Sequence, residues 1–94
     1  MVNTIESIEI PKQVTTLDNA CFNNCTNLKY VTFESGSQLT TINSNVFKDS
    51  DLKSIIIPEG CTTIGSEVFR GCYSNLLVDI PSTVTSIGSL CFFL

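Results

Sequence analysis

The chain has no histidine, no tryptophan, one methionine and three prolines in 94 residues. Without histidine it lacks the commonest general base, metal ligand and activator of nucleophiles. It also has no glycine-rich phosphate loop, nucleophile elbow or Cys-x-x-Cys pair, so an enzyme is not expected. Charge is scarce: 15% of residues carry it, against about 25% in an average soluble domain. The five basic residues, Lys12, Lys29, Lys48, Lys53 and Arg70, are scattered among nine acidic ones, for a net charge of −4. Nucleic-acid binding needs clustered lysine and arginine to displace counterions from phosphates. Nucleic acid and anionic membrane surfaces are therefore disfavoured as partners. No apolar run approaches the ~18 residues of a helical span, so direct membrane insertion is not expected. The opening Met1-Val-Asn-Thr-Ile-Glu6 lacks the basic region and apolar stretch of a signal peptide. That leaves an intracellular protein or a piece of a longer chain.

What the chain does have is repetition. Pro11-Lys-Gln-Val14-Thr-Thr-Leu17, Leu39-Thr-Thr-Ile42, Pro58-Glu-Gly-Cys61-Thr-Thr-Ile64-Gly65 and Pro81-Ser-Thr-Val84-Thr-Ser-Ile87-Gly88 are versions of one phrase. Each is followed by a phenylalanine, Phe22, Phe47, Phe69 and Phe92, at steps of 25, 22 and 23 residues. A period of roughly 20 to 50 residues marks a solenoid, in which each unit buries its apolar face only against its neighbours. With 43% hydrophobic residues the chain folds rather than remaining disordered.

A second ladder lies between the phenylalanines. Ile5-x-x-Ile8-x-Ile10, Leu28-x-x-Val31-x-Phe33 and Leu52-x-x-Ile55-x-Ile57 share one spacing, and Val78-x-Ile80 closes the fourth copy. Alternating β-branched and aromatic residues stopped by Pro11, Pro58 and Pro81 predict a short strand. Equivalent strands run the same way, so they predict a parallel sheet of about four strands. The Val-Thr-x-Ile phrase predicts second short strands on the far side. Gly65 and Gly88 are expected to turn the chain with φ > 0, with Asn43 and Asp18 filling that position in earlier copies. Turns or single helical turns are expected over 18–22 and 66–69.

The register also places the five cysteines. Cys25 and Cys72 share one slot, Cys21 and Cys91 another, and Cys61 stands where Val14, Leu39 and Val84 do. With coils ~4.8 Å apart, Cys25 and Cys72 lie two layers or ~10 Å apart, beyond the ~7 Å reach of a disulfide. Buried free thiols are expected, acting as small hydrophobes.

Asp49-x-Asp51 offers two carboxylates on a turn, short of the six to eight oxygens of a calcium site. No metal or cofactor is assigned. Asn24-Cys-Thr26 matches an N-glycosylation sequon, relevant only to a secreted chain. Copy two carries two extra residues, within Glu34-Ser-Gly36-Ser-Gln38. A plain longer loop accounts for them at little cost; a ligand-contacting bulge is the alternative.

The pattern Leu-x-x-Val-x-Ile-Pro-x-x-Val-Thr-x-Ile-Gly-x-x-x-Phe-x-x-Cys resembles the BspA-like leucine-rich repeats, from Ile5 to Phe92 and most fully from Pro58 to Cys72. Glu34 replaces proline, Asn43 and Asp18 replace glycine, and Ser50 replaces cysteine. The resemblance implies a leucine-rich repeat solenoid of period about 23 residues. It also implies a place on the cell surface of a bacterium or parasitic protist, with adhesion or host-protein binding as the role.

The expected organisation is one repeat domain over 1–94. It has a partial strand in 1–10, repeats at 11–33, 34–57 and 58–80, and an incomplete repeat at 81–94. Neither end reads as capped, because the chain stops at Cys91-Phe92-Phe93-Leu94 before the next strand. Uncapped repeats expose core surface and strand edges, so a longer array or end-to-end self-association is expected.

Outward positions of the strands form two columns: Ser7, Tyr30, Ser54, Leu77 and Glu9, Thr32, Ile56, Asp79. The exposed strand face is the usual binding face of leucine-rich repeats. Tyr30, Ile56 and Leu77 place apolar groups there, as an interface would or as strand preference alone would. Glu9, Tyr30, Thr32, Ser54, Ile56, Leu77 and Asp79 are thus the candidate contacts for a protein or glycan partner. The alternative function is a structural spacer within a longer array.

Overall fold

The computed structural model describes residues 5–72 and 75–92. The expectations resting on residues 1–4 and on Phe93-Leu94 lie outside this range. Eight short strands alternate along the chain: β1 (Ser7–Ile10), β2 (Thr16–Leu17), β3 (Tyr30–Phe33), β4 (Thr41–Ile42), β5 (Ser54–Ile56), β6 (Thr63–Ile64), β7 (Leu77–Asp79) and β8 (Ser86–Ile87). Odd-numbered strands form one four-stranded sheet in the order β1-β3-β5-β7, and even-numbered strands a second in the order β2-β4-β6-β8. Every pairing is parallel. This is the expected solenoid, and its register is the sequence repeat itself: Ile8 pairs with Val31, Val31 with Ile55, and Ile55 with Val78.

The core is a set of columns running from coil to coil. The phenylalanine rings stack with centroids 5.7, 5.8 and 5.3 Å apart along Phe22, Phe47, Phe69 and Phe92. Leu28 and Leu52, Leu17, Ile42 and Ile64, and Val46 and Val68 are buried beside them. Burial is deepest in the middle coils and shallower towards the ends: Phe47 and Phe69 are enclosed, Phe22 half-buried and Phe92 exposed. A side chain in a middle coil has a neighbour above and below, as expected of a stack held by nearest-neighbour contacts.

The third side of each coil is not helical. No helix occurs among the described residues, and the segment after each even strand is a run of overlapping four-residue turns. In the first coil Cys21 N–H donates to the Asp18 carbonyl (3.2 Å), Asn23 to Ala20 (3.0 Å) and Cys25 to Phe22 (3.3 Å). The intervening N–H groups of Ala20, Phe22 and Asn24 instead donate to Ser44, Val46 and Lys48 of the next coil, at 3.0, 3.0 and 2.8 Å. Asn45, Phe47 and Asp49 repeat the pattern towards Ser66, Val68 and Arg70. A helical turn would point its N–H groups along its own axis, and a single turn would leave the first four without an acceptor of its own. Here the left-handed region recurs once per coil at Ala20 (φ 58°), Asn45 (63°), Glu67 (59°) and Leu90 (57°), with a second such residue four positions on at Asn24, Asp49 and Gly71, and every second donor points along the stack.

Gly65 and Gly88 do not have positive φ, contrary to expectation. Their role is close approach. A Cβ on Gly65 would sit 2.7 Å from the Ser44 nitrogen, and one on Gly88 would overlap the backbone of Gly65 and Ser66. The chain turns two residues later, at the left-handed positions, so the glycine slot only has to let two coils touch.

All five cysteines are free. Cys61, Cys72 and Cys91 are buried as expected, Cys25 is half-buried and Cys21 is exposed. Cys61 Sγ donates to the Thr63 carbonyl of its own coil at 3.8 Å, whereas Cys72 reaches back to the preceding coil. Cys72 Sγ donates to the Phe47 carbonyl at 3.1 Å and lies 3.6 Å from Ser50 Oγ. Cys91 is tied to the preceding coil through its carbonyl, which accepts from Phe69 N–H at 2.9 Å. Cys21 has no preceding coil among the described residues to reach back to, so it stays at the surface.

Candidate binding face

The strand sheet β1-β3-β5-β7 turns its inward residues, Val31 and Ile55 among them, into the core and leaves the alternate ones outside. Pairing aligns these outward residues into the two expected columns. Ser7 lies beside Tyr30, Tyr30 beside Ser54, and Ser54 beside Leu77. Glu9 lies beside Thr32, and Ile56 beside Asp79. Three large side chains stand in solvent: Tyr30 at 48%, Ile56 at 69% and Leu77 at 72% exposure. Ser54 between them is only partly exposed.

An open concavity of about 490 Å³ lies over this face. Tyr30, Thr32, Ser54 and Ile56 form its floor, and residues 34–37 with Pro58 and Glu59 form one wall. Four of the seven expected contact residues therefore share one groove. Leu77 adjoins it across the Ser54 pairing, and Asp79 adjoins it beside Ile56. Glu9 flanks the groove on the other side, beside Thr32.

The wall is the two-residue insertion of the second copy, and it is pinned. Lys12 N–H donates to Glu34 Oε1 at 2.8 Å, and the Lys12 carbonyl accepts from Gln38 N–H at 2.9 Å. Gly36 turns the loop at φ 83°, and Ser37 Oγ accepts from Leu39 N–H at 3.2 Å. Glu34, where the other copies have proline, anchors the loop to the coil before it. Glu34, Ser35 and Ser37 of the insertion, whose alternative reading was a ligand-contacting bulge, thus line the groove together with Pro58 and Glu59, which lie outside the expected contacts. The available signal was the coincidence of the only insertion with the only copy whose proline slot holds a carboxylate.

Charge divides across the sheet. The second column holds Glu9 and Asp79, and beyond it Glu34 and Glu59 line the groove. At the opposite edge Lys29 and Lys53 both reach Asp51, with Nζ–O distances of 3.3 Å each. Hydrogen bonds from Lys53 and then Lys29 hold the Asp51 carboxyl below its ordinary range. Asp51 is thus engaged by two ammonium groups, and among the described residues no three metal-ligating side chains come together. Burial pushes the thiols of Cys61, Cys72 and Cys91 up, away from the reactive thiolate.

The second sheet carries a row of hydroxyls that act within the stack. Thr40, Thr62 and Thr85 Oγ1 donate to the carbonyls of Thr15, Thr40 and Thr62 in the coil before, at 3.2, 3.3 and 3.4 Å. This is a structural use of threonine, bracing one coil against the next.

Comparison with known proteins agrees with this architecture. The crystal structure of the pneumococcal vaccine antigen PcpA superposes with a TM-score of 0.76 and 30% identity over 84% of this chain. A leucine-rich cell surface protein from Faecalibacterium prausnitzii A2-165 superposes with a TM-score of 0.61 and 28% identity over 95% of it. The chain spans only 20% and 30% of the lengths of those two proteins. No curated protein matches the sequence. The family model of the BspA type leucine-rich repeat region (6 copies) matches residues 2–94. A match over that length, on a solenoid whose register is the sequence repeat, places this chain in the BspA-type leucine-rich repeat family.

Proposed function

We propose that this chain is a non-enzymatic binding module of a surface protein, presenting the outward face of its strand sheet to a protein or glycan. The observation that carries this reading is the cluster of Tyr30, Ile56 and Leu77, exposed together at the floor and edge of one groove. A spacer needs only a soluble outer surface, and polar residues at these positions would supply it. Tyrosine in particular gives a large contact area at low entropic cost and recurs at interface hot spots. The cell-surface setting is supported by the relative described as a leucine-rich cell surface protein. Alanine at Tyr30, Ile56 and Leu77 together tests the reading, since all three are outside the core and the fold should be unaffected. In a binding assay against cell-surface extracts, loss of capture with unchanged circular dichroism supports the module. Unchanged capture would point to a spacer.

A further inference from the structure

We propose that the partner segment which this face takes is a basic one: a polypeptide stretch in which lysine or arginine flanks an apolar residue. The inference rests on the binding-face reading above and adds the chemistry of the occupant.

Three observations point the same way. The groove floor is apolar, with Ile56 and the Tyr30 ring open to solvent, so an apolar side chain gains by burial there. The carboxylates around it outnumber the cations: Lys12, whose stem lies against the Gly36 loop, is the lysine beside the wall. Glu59 lines the groove, Asp79 adjoins Ile56, Glu9 adjoins Thr32, and none of the three is in an ion pair among the described residues. The lysines nearest the sheet, Lys29 and Lys53, lie at the far edge and are both committed to Asp51. The face is therefore an apolar strip with a net acidic border, in which Glu9, Glu59 and Asp79 outweigh Lys12, and it complements an apolar residue set between cations. Tyr30 strengthens the match, because an exposed phenol ring attracts a lysine or arginine head over its face. An acidic segment would meet repulsion along the whole border, and a neutral glycan would leave the carboxylates unused.

Charge complementarity of this kind governs which partner is selected and how fast it arrives, and salt screens it. The test uses three synthetic peptides of equal length and leucine content, with lysine, glutamate or serine between the leucines, and a neutral oligosaccharide as a fourth ligand. Each is titrated into the isotopically labelled chain and followed by amide and methyl NMR. The expected result is that the lysine peptide alone perturbs Tyr30, Ile56 and Leu77, and that its affinity falls as salt rises. Glu59→Lys with Asp79→Lys should weaken it by about tenfold, the scale of a few exposed ion pairs reversed in sign, and should admit the glutamate peptide instead. Equal perturbation of the same residues by the serine or glutamate peptide, or by the oligosaccharide, overturns the charge inference and leaves the face intact. No perturbation by the lysine peptide also overturns it. Perturbation centred on Thr15, Thr40, Thr62 and Thr85 overturns both the inference and the binding-face reading.

Discussion

The rings of Phe47 and Phe69 stack with centroids 5.8 Å apart and planes 13° from parallel, and both side chains are enclosed. Each is gripped from two sides, because Phe22 continues the column below and Phe92 above. Phe47→Ala should cost about 3–5 kcal/mol, the usual range for emptying a buried aromatic site. That is a large share of the ~5–15 kcal/mol by which a domain is stable. Phe22→Ala should cost clearly less, since Phe22 is half-buried and stacks on one neighbour. Urea denaturation of the two variants measures the difference, and equal losses would contradict a stack held by nearest-neighbour contacts.

Ala20 gives a prediction whose sign separates the two accounts of the turn region. In a helical turn, Ala→Gly destabilises by about 1 kcal/mol. At φ 58° an alanine is strained and its exposed methyl packs on little. Relieving that strain should make Ala20→Gly stabilising, by up to about 1 kcal/mol. Thermal denaturation decides it, and a lower melting temperature would favour the helical account.

Thiol chemistry should follow the coil order. In the reduced protein at neutral pH, Cys21 should react first with an alkylating reagent and Cys25 next. Burial pushes all five thiols up, so access decides the order, and Cys61, Cys72 and Cys91, enclosed in the core, should react only on unfolding. The same shift predicts an alkaline limit. A thiol whose folded value is raised contributes stability that is full below the unfolded value near 9.0 and lost as pH rises towards the folded value. Denaturation midpoints should therefore fall above about pH 9, and Cys72→Ser should flatten that fall. Timed alkylation read by mass spectrometry checks the order.

Acid should weaken the fold through two carboxylates. Glu67 accepts from Arg70 at 2.9 Å and faces Lys48 at 3.3 Å, and hydrogen bonds from Arg70 and then Lys48 hold it below its ordinary value near 4.5. Asp51 is held down in the same sense by Lys53 and Lys29. A lowered folded value means that the contribution is present above the unfolded value and lost as pH falls through the folded one. Stability should decline below about pH 4.5, by a small amount because these pairs are near the surface. Glu67→Gln with Asp51→Asn should shrink the decline in an acid titration of unfolding, and an unchanged slope would assign it elsewhere.

The inward ladders and the two outward columns were legible because their period is that of the chain, and a repeat in sequence becomes a column in space once coils stack. Ile8, Val31, Ile55 and Val78 align as their spacing predicted. The turn side was legible only as turns or single helical turns, for a physical reason: Ala20, Glu67 and Leu90 carry no mark that they adopt the left-handed region. Gly65 and Gly88 were obvious as glycines, but what they avoid is a neighbouring backbone that is distant in sequence. Of the candidate face, the floor was legible residue by residue, and of the wall only the insertion itself. Glu34 is a departure from the repeat, and its meaning depends on Lys12, a coil away.

Each of the three sides of the solenoid carries hydrogen bonds that run from coil to coil, and these lie along one axis. Tension applied to the two ends of the stack therefore loads the interfaces in series, and the weakest opens while the others hold. Each opening would release one coil, up to ~75–80 Å of extended chain. A module built this way lengthens in small steps under load, giving way gradually where a single cooperative globule would snap.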